Sequence, residues 1–572
     1  MKRTCAWVVV MCWFMASCDD SIDLDPLETE APIEARMRPK PIIGGTLTLT
    51  SNDLAVAADP DRDQVHVVDL VSRHVLHTIE LAPGDEPGRV VEGAQGTAHV
   101  VLRGSGSVAT LDLAAGTVVA RVPVCAEPRG IAHDASAGVL HVACADGSLV
   151  QLDATSSTEV SRTRLEPDLR DVLLVDGKVK VSQFRSASLL DVDGSRAPQL
   201  QFDRSIPHVA WRSWVDAHGE IMILHQLAST EPVQIEPNEA AVSNGAAHPY
   251  GGGTFCEPGL SAVAITRIGR DDTKTVTLAN APLTVDAAFW PRGDAFALAM
   301  PGAAEGKSTV AVVNFGETCI PEGEPIEEGQ VTAVAFTQTG ELVMQSREPA
   351  RLLVRPAPFS AWTEIIELPG ESRLDTGHDL FHRATDSGLS CASCHPEGTD
   401  DGHVWNFVEL GLRRTQPLDV GLADTAPFHW DGDMKNLDTI MGEVLVHRMG
   451  GKRQSEARLA AFSSWMFAQQ RPPAATRIDD PLVLDRGRTL FEHYGCATCH
   501  DGPALGGTQT HPIRGVTLQV PSLRRVSLHP PYMHDGRSPT LEDAVVDMIE
   551  STTTRAVDDD AVRALADYLR TL

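Results

Sequence analysis

Between about residues 46 and 365, short apolar runs alternate with polar turns rich in Asp, Gly and Ser, which predicts a repeated β-structure. Three of the runs look alike, and their aspartates Asp69, Asp112 and Asp153 are 43 and 41 residues apart. This is the length of a four-stranded propeller blade, so about 320 residues predict about seven blades. A pair of β-sandwiches is the alternative fold.

The repeat resembles those of YVTN-type and WD40-like propellers. Its spacing blurs after residue 190, and the polar stretch Leu227–Gly253 looks like an insertion. No catalytic motif stands out, so we expect a scaffold or a docking surface. Four cysteines of this region allow two disulfides in three connectivities. We favour the local pair Cys125 and Cys144, which leaves Cys256 and Cys319.

The first residues have the features of an export signal. A positively charged start, an apolar run over Cys5–Met15 and small residues before Cys18 predict a signal peptide over residues 1–17. This run is too short to span a bilayer, and no later segment reaches the roughly 20 apolar residues that spanning needs. Residues 18–45 are acidic and proline-rich, which predicts a tether.

The residues Met15-Ala16-Ser17-Cys18 resemble the lipobox of bacterial lipoproteins, whose cysteine becomes the lipidated first residue. The resemblance implies an exported protein on the periplasmic side, held to the inner or outer membrane only by a lipid on Cys18. An ordinary secreted protein is the alternative.

The composition excludes one class of partner. Lys and Arg total 48 against 78 Asp and Glu, which gives a formal net charge of -30 at pH 7. A chain this acidic repels a phosphate backbone, so we expect no nucleic acid partner. Eleven cysteines among 572 residues are too few for a disulfide scaffold, so their positions carry the information.

Two C-x-x-C-H motifs carry the chemistry. Two thiols three positions apart can bind both vinyl groups of one haem, and the adjacent histidine reaches the iron. We therefore predict two covalently attached c-type haems, held by Cys391, Cys394, His395, Cys496, Cys499 and His500. A zinc site built from the paired cysteines is the alternative. Calcium is a further cofactor that we considered, and nothing in the sequence supports it.

The segments around the two motifs also repeat. Gly377–Phe381 precedes the first motif and Gly487–Phe491 the second, each as the start of a helix. Pro427–Gly432 matches Pro531–Gly536 at an offset of 104 residues, and the motifs themselves are 105 residues apart. A tandem duplication explains both offsets.

Each half ends in an amphipathic helix. The apolar positions of the two helices are Leu459, Phe462 and Met466 in one, and Val562, Leu565, Ala566, Leu569 and Leu572 in the other. We therefore predict a multidomain chain. Its all-β propeller, residues 46–365, is followed by two mainly α cytochrome c-type haem domains over residues 371–472 and 481–572, with Pro472 and Pro473 at their junction.

Residues 371–572 resemble the bacterial di-haem cytochrome c peroxidases, a family that includes the di-haem enzyme of methylamine utilisation. The most specific segments are Val520–Arg525, Pro531–Gly536 and Leu541–Met548. The resemblance covers no part of the propeller.

This resemblance implies different roles for the two haems. It implies that Met548 is the sixth ligand of the C-terminal, electron-transferring haem and that Trp430 lies between the haems. Simple core packing is the alternative for both residues. Met533 and His534 are further ligand candidates.

The internal repeat distinguishes the first haem from the second. The offset of 104 places Val444 at the position of Met548, and valine cannot bind iron. The first haem therefore has an open site, which in the family meets peroxide, or it takes a ligand from elsewhere. The candidates for that ligand are His403, His429 and His447.

The sequence departs from the family at the distal positions. Ile440 stands where its members have a glutamine, and Arg448 where they have a glutamate, so neither residue supplies a general base. Arg448 can still polarise a bound peroxide. Glu443 is the nearest carboxylate that could substitute for the missing one.

Together these features predict an exported di-haem c-type cytochrome of the peroxidase type. Electrons from a small redox protein or another donor would pass from the C-terminal to the N-terminal haem, with reduction of hydrogen peroxide or oxidation of an unknown substrate. The alternative is a non-catalytic electron-transfer lipoprotein with the propeller as a docking or binding module.

Overall fold

The computed structural model describes residues 27–197, 202–216, 218–236, 249–250, 259–269, 272–320, 329–469, 471 and 480–572. The predicted signal peptide, Cys18, Cys256 and the two junction prolines lie outside these ranges. No helix in the described ranges has both the length and the apolar character needed to cross a lipid bilayer.

After a short strand, β1 (Leu27–Glu28), the chain forms a seven-bladed propeller of antiparallel sheets in which consecutive strands are neighbours. The blades are β2 to β5 (Leu47–Leu49, Leu54–Asp59, Gln64–Asp69, His74–Glu80), β6 to β9 (Pro87–Glu92, Thr97–Leu102, Ser107–Asp112, Thr117–Pro123), β10 to β13 (Pro128–Asp134, Val139–Cys144, Ser148–Asp153, Glu159–Arg164), β14 to β16 (Leu169–Val175, Lys178–Gln183, Leu189–Asp191), β17 to β20 (Ser205–Val215, Ile221–Ser229, Ser261–Ile268, Thr273–Leu278), β21 to β23 (Asp286–Phe289, Ala295–Ala299, Val310–Asn314) and β24 to β27 (Val331–Phe336, Leu342–Arg347, Ala350–Arg355, Glu364–Glu367).

The position of a strand within its blade decides how much of it is buried. The second strands β3, β7 and β11 are buried over nearly their whole length, whereas the fourth strands β5, β9 and β13 are largely exposed. A strand that is covered on both faces is apolar on both faces, so apolar and polar residues alternate only weakly along it. One apolar cluster joins Leu47 and Ala57 of the first blade to Val343 and Leu352 of the last, and it closes the ring.

The predicted propeller of about seven blades is confirmed. The repeat blurs after residue 190 because the fourth and sixth blades have three strands each within the described residues, and because β17 and β18 have 11 and 9 residues. The favoured disulfide between Cys125 and Cys144 is also present, and it links the second blade to the third. Cys319 is disulfide-bonded as well.

The C-terminal part contains two helical units with small hairpins. The first unit has α1 (Thr376–His382), α2 (Cys391–Cys394), β28 (Val404–Phe407), β29 (Gly411–Arg414), α3 (Leu437–Ile440), a π-helical segment (Met441–Arg448), β30 (Arg453–Gln454) and α4 (Glu456–Phe467). The second has α5 (Pro481–His493), β31 (Thr510–Ile513), β32 (Val516–Gln519), α6 (Leu541–Thr552) and α7 (Asp559–Leu569). Both predicted terminal helices are therefore present, as α4 and α7.

In both units the first helix crosses the last helix at a glycine. A Cβ atom added to Gly377 of α1 would lie 2.4 Å from the Cβ atom of Trp465 in α4. One added to Gly487 of α5 would lie 2.4 Å from the carbonyl oxygen of Ala564 in α7. Neither crossing has room for a side chain, which gives the repeated glycine a structural reason.

The predicted duplication is visible in the backbone between the haem motifs and the later helices. The peptide bonds before Pro427 and Pro531 are both cis, and each is followed by an isolated bridge, Phe428 with Met434 and Tyr532 with Ser538. The offset between these equivalent residues is 104, as the sequence predicts. The two units therefore share one local fold.

The segment before the propeller contacts both parts of the molecule. Most of it has no regular secondary structure, as its composition predicts, but it is packed rather than free. Strand β1 pairs in parallel with β30 of the first helical unit, and the Trp465 Nε1–H donates to the Pro39 carbonyl over 2.9 Å. The backbone N–H of Lys40 donates to Asp61 of the first blade. Residues 27–45 thus connect the propeller to the first helical unit.

Candidate haem sites

Both C-x-x-C-H motifs open into one cavity of about 890 Å³ in the C-terminal part of the molecule. Its walls are mainly aliphatic and aromatic side chains from both helical units. The motif residues that line it are Cys391, Cys394, His395, Cys496, Cys499 and His500. The fold therefore brings together the two motifs, which are 105 residues apart in the sequence.

A backbone carbonyl orients the histidine ring of each motif. The Nδ1 atom of His395 lies 3.1 Å from the Thr399 carbonyl oxygen, and that of His500 lies 3.0 Å from the Leu505 carbonyl oxygen. A proton on Nδ1 that is donated to this carbonyl leaves Nε2 free to bind iron. Burial lowers the pKa of both histidines, so the rings stay neutral, as metal ligands must be.

The four motif cysteines are free thiols. Burial raises the pKa of Cys391 to about 12 and that of Cys496 to about 11. Each motif thus combines two unpaired thiols with an unblocked imidazole nitrogen at the wall of a largely apolar cavity. These residues fit a c-type haem at each motif.

The structure does not support the zinc alternative. Zinc in a structural site needs about four thiolate or imidazole ligands around one point. Within the described part of the chain, no group of three or more His, Cys, Asp or Glu side chains is placed to hold a metal ion. The two C-x-x-C pairs therefore do not form a shared thiolate site.

The two motifs differ in their exposure. Residues 396–401, directly after the first motif, are buried against the propeller. Around the second motif, Ala497, Thr498 and Asp501 are exposed. The second motif therefore lies at the surface of the molecule, and the first is enclosed.

Met548 and Val444 occupy equivalent places. The helices α3 and α6 begin after the equivalent N-cap residues Asn436 and Thr540, whose side chains accept backbone N–H groups of the first turn. Both Val444 and Met548 line the cavity. A thioether therefore faces the cavity in the second unit, where the first unit has only an aliphatic group. Met533 also lines the cavity.

The three histidine candidates for a ligand of the first haem lie in different places relative to the cavity. His429 lines the cavity, with its Nδ1 atom 3.5 Å from Asp433. His447 is partly exposed and lies 3.2 Å from Glu236, away from the cavity wall. His403 is buried outside the cavity, with its ring 4.2 Å from that of Trp405. Of the three, His429 is the one that faces the cavity.

The candidate distal residues of the first haem also differ in whether they line the cavity. Ile440, Val444 and Arg448 follow one another at every fourth position and line the cavity together. Glu443 is exposed and does not line the cavity. The structure therefore places Arg448, but not the proposed substitute carboxylate, beside the first motif.

A residue of the propeller insertion, Tyr250, also reaches this cavity. Its hydroxyl lies 3.4 Å from Nη1 of the buried Arg448, and its backbone N–H donates to the Arg448 carbonyl over 3.0 Å. The Arg448 Nε atom is buried and has no hydrogen-bond partner among the described residues. Burial raises the pKa of Tyr250, so its hydroxyl keeps its proton. The sequence offers no motif that could have predicted this contact, since about 200 residues separate Tyr250 from its partner.

Trp430 lies where the two helical units meet. Its Nε1–H donates to the Arg414 carbonyl of the first unit over 2.6 Å, and its own carbonyl accepts the N–H of Gln519 in the second unit over 2.7 Å. Its ring centroid is 6.3 Å from that of His534, and both residues line the cavity. An indole ring thus stands between the two halves of the cavity.

Known proteins of similar sequence include cytochrome c peroxidases. The Cytochrome c family model matches residues 484–572. The chain is 35% identical over 299 residues to Cytochrome c551 peroxidase of Nitrosomonas europaea, an alignment that covers 40% of this chain and 85% of that protein.

Two further relatives are similar at lower identity and over shorter alignments. Cytochrome c peroxidase Ccp of Escherichia coli is 30% identical over 276 residues, which covers 36% of this chain and 59% of that protein. Methylamine utilization protein MauG of Methylorubrum extorquens is 27% identical over 237 residues, which covers 30% of this chain and 66% of that protein.

Proposed function

Because the chain belongs to the family of the bacterial cytochrome c peroxidases, we propose that it is an exported di-haem cytochrome that reduces hydrogen peroxide with electrons from a small redox protein. Haem would be attached covalently at Cys391 and Cys394 in the first site and at Cys496 and Cys499 in the second. His395 and His500 would bind the irons through Nε2, and Met548 would be the sixth ligand of the second haem.

The observation that carries this proposal is the single cavity that contains both motifs, with Trp430 between its halves. When bound, two c-type haems would supply electron transfer from the C-terminal site to the N-terminal site and peroxide reduction at the latter. Trp430 would hold the two halves in a fixed relation through its hydrogen bonds to Arg414 and Gln519.

The proposed direction of electron flow rests on the different solvent exposure of the two motifs. A protein donor needs surface contact near the site at which electrons enter. Ala497, Thr498 and Asp501 expose the second motif, whereas the propeller covers the loop after the first. The surface near the second motif is therefore the proposed docking site for the donor.

Arg448 and Tyr250 are the proposed distal groups of the first site. Arg448 carries a permanent positive charge that would polarise a bound peroxide, and its Nε–H, which no described residue accepts, is available for a hydrogen bond. Tyr250 holds a proton on its hydroxyl next to that guanidinium, and it could deliver this proton to a leaving oxygen. This pair would replace the glutamine and glutamate of other family members.

The proposed location is the periplasmic side of a bacterial membrane. The signal-like start of the sequence and the disulfide between Cys125 and Cys144 both favour an exported, oxidised protein. A lipid on Cys18 is the proposed anchor. We propose the division of the mature chain into a tether, the propeller over 46–365 and the haem domains over 371–472 and 481–572.

One observation favours the second candidate function, a non-catalytic electron carrier. Ile440 lines the cavity where a polar distal group is expected, and Glu443 is exposed outside the cavity. Without a base at the first site, the protein would relay electrons only, with the propeller as the docking module.

Two measurements on the full-length protein separate these functions. A pyridine haemochrome assay should count two c-type haems per chain, and mass spectrometry should find one on each motif peptide. Steady-state assays should then detect oxidation of a reduced donor by hydrogen peroxide. Low-temperature electron paramagnetic resonance should detect a high-spin ferric site, at rest or after half-reduction. Two low-spin haems at every redox level without peroxide turnover would refute the peroxidase and support the relay.

A further inference from the structure

The propeller contacts the loop that follows His395 through buried ion pairs. Glu397, 1% exposed, accepts a hydrogen bond from Nη2 of Arg103 and another from Nη1 of Arg170 at 2.6 Å. Arg103 follows strand β7 of the second blade, and Arg170 lies on β14 of the fourth. Both arginines are themselves buried. Two blades of the propeller therefore hold one carboxylate of the first haem unit.

The same loop is held a second time, three residues later. Asp400 is fully buried and forms a two-pronged contact with Arg185 of the propeller, in which Nε and Nη2 each lie 3.1 Å from a carboxylate oxygen. Arg414 of β29 and the Nδ1 atom of His529 also contact Asp400, at 2.8 and 2.5 Å. The loop from Pro396 to Asp401 is thus fixed at both ends by charged partners.

Between these two anchors lies the carbonyl that orients the iron-binding histidine. The Thr399 carbonyl is the partner of Nδ1 of His395, and Thr399 stands between Glu397 and Asp400. Glu397 also has a backbone φ of +55°, a conformation that residues other than glycine seldom adopt. Such a conformation persists only where the surroundings impose it, as the two arginines do here.

The second motif provides an internal comparison. The equivalent loop, residues 501–505, receives hydrogen bonds from Ser522 to the Ala504 carbonyl and from Arg524 to the Pro503 carbonyl. Both donors belong to the same helical unit, and Asp501 is exposed. The duplicated units therefore support their histidines differently: the first by buried charges of the propeller, the second by neighbours in its own unit.

We infer that Arg103, Arg170 and Arg185 of the propeller are positioning residues of the first haem, since they hold Glu397 and Asp400 and thereby fix the loop that orients His395. This inference rests on the proposed haem at the first motif. It makes the propeller a part of that site, beyond any role in docking. Fixed charges and second-shell hydrogen bonds next to an axial histidine set the reduction potential of a haem, and the propeller supplies both here.

The test compares substitutions of opposite charge in the full-length, haem-loaded protein. Glu397→Gln removes a buried negative charge, so it should raise one of the two haem reduction potentials, because the ferric form loses electrostatic support. Arg170→Gln removes a positive charge and should lower the same potential. The other potential should stay at its wild-type value in both variants. Spectroelectrochemical titration measures both potentials in one experiment.

Asp61→Asn is the matched control. Asp61 is also a buried carboxylate with an arginine partner, Arg347 at 2.7 Å, but neither residue contacts the loop after His395. This variant should leave both potentials unchanged. Arg170→Lys keeps the charge and should stay closer to the wild-type potential than Arg170→Gln.

Substitutions in buried ion pairs can prevent folding. Arg103→Gln is the second variant, in which Glu397 keeps Arg170 and Glu127 keeps Arg129 and Arg525, and it should shift the potential in the same direction as Arg170→Gln. Loss of haem from the first motif alone, with haem retained at the second, would also support a positioning role.

The inference is overturned if neither potential moves, if both move together, or if the signs are reversed. A wild-type protein without haem on the peptide of Cys391 and Cys394 would instead refute the proposed function at that motif. Mass spectrometry of that peptide distinguishes this result from a failure of the inference alone.

Discussion

At residue 548 a methionine faces the cavity, and at the equivalent residue 444 a valine does. A thioether sulfur binds haem iron and raises its reduction potential, whereas an aliphatic side chain cannot bind it. This one difference between two duplicated units would make one haem a six-coordinate relay and leave the other open. The sequence predicts it because the offset of 104 residues between Pro427 and Pro531 continues to this helix.

Met548→Ala should therefore change the absorption spectrum of one haem only. With the thioether removed, that haem should become high-spin and its reduction potential should fall. Met533→Ala is the control, because Met533 also lines the cavity and its replacement should leave the spectrum unchanged. Absorption and paramagnetic resonance spectra decide the question, and a Met548→Ala variant with a wild-type spectrum would remove Met548 from the ligand set.

Tyr250→Phe should lower kcat/KM for hydrogen peroxide by roughly 100-fold or more, because it removes a proton donor beside Arg448 and keeps the ring. Tyr494→Phe is a matched control, since Tyr494 also lines the cavity but directs its hydroxyl to the Ala556 carbonyl in the second unit. Steady-state assays with both variants give the answer. Equal turnover of Tyr250→Phe and the wild type would leave Arg448 as the sole distal group.

Where two helices cross in each haem unit, the contact leaves room for glycine and for no larger residue. Gly487 of α5 has the Ala564 carbonyl and the Tyr568 Cβ atom within 2.5 Å of the place where a Cβ would be. The crossing of α5 and α7 in turn positions the second motif, because Cys496 follows three residues after α5 ends.

Gly487→Ala should destabilise the second haem unit by about 1–3 kcal/mol, the usual range for overpacking. Gly442→Ala is the control: no atom of the described residues lies within 4 Å of its added Cβ, so the gain in helix propensity should make it neutral or slightly stabilising. Thermal unfolding followed through haem absorbance measures both. A Gly487→Ala variant as stable as Gly442→Ala would mean that the helices move apart without cost.

The elements with a repeated pattern could be predicted from the sequence, and the others could not. The seven blades and the paired haem units repeat often enough to be recognised. The strands of the hairpins β28–β29 and β31–β32 are only four residues long, and neither turn has the Asn-Gly or Asp-Gly pair that marks a hairpin most clearly. The π-helical turns at Met441–Arg448 follow an ordinary helix start, so no residue type marks where the winding changes.

For the molecule as a whole, the order of its parts could be predicted and their contacts could not. Arg103 and Glu397 are 294 residues apart, and each stands in a turn where a charged residue ordinarily faces solvent. A single sequence gives no sign that the two charges meet in a buried interface. The same holds for Glu127 of the propeller, which pairs with Arg525 of the second unit.

These interface carboxylates make the stability of the contact between the propeller and the haem units depend on pH. Burial alone would raise the pKa of Glu397 and Asp400, but neighbouring arginines outweigh it and hold both values below the usual range, as they do for Glu127. A carboxylate with a lowered folded-state pKa stabilises the assembly above its unfolded value, about 4, and loses this effect as the pH falls further. Burial raises the pKa of Asp401 to about 7. The stability of the assembly that depends on Asp401 is therefore lost as the pH rises from about 4 to about 7.

A protease site inserted after the exposed Gly370 should test this at the level of the whole molecule. After cleavage, the propeller and haem fragments should elute as one species in gel filtration at pH 7. They should remain together in 1 M salt, because ions screen buried pairs poorly. The fragments should separate progressively below about pH 4, with circular dichroism to confirm that the propeller is still folded. Separation at pH 7 or in 1 M salt would mean that the buried ion pairs do not hold the two parts together.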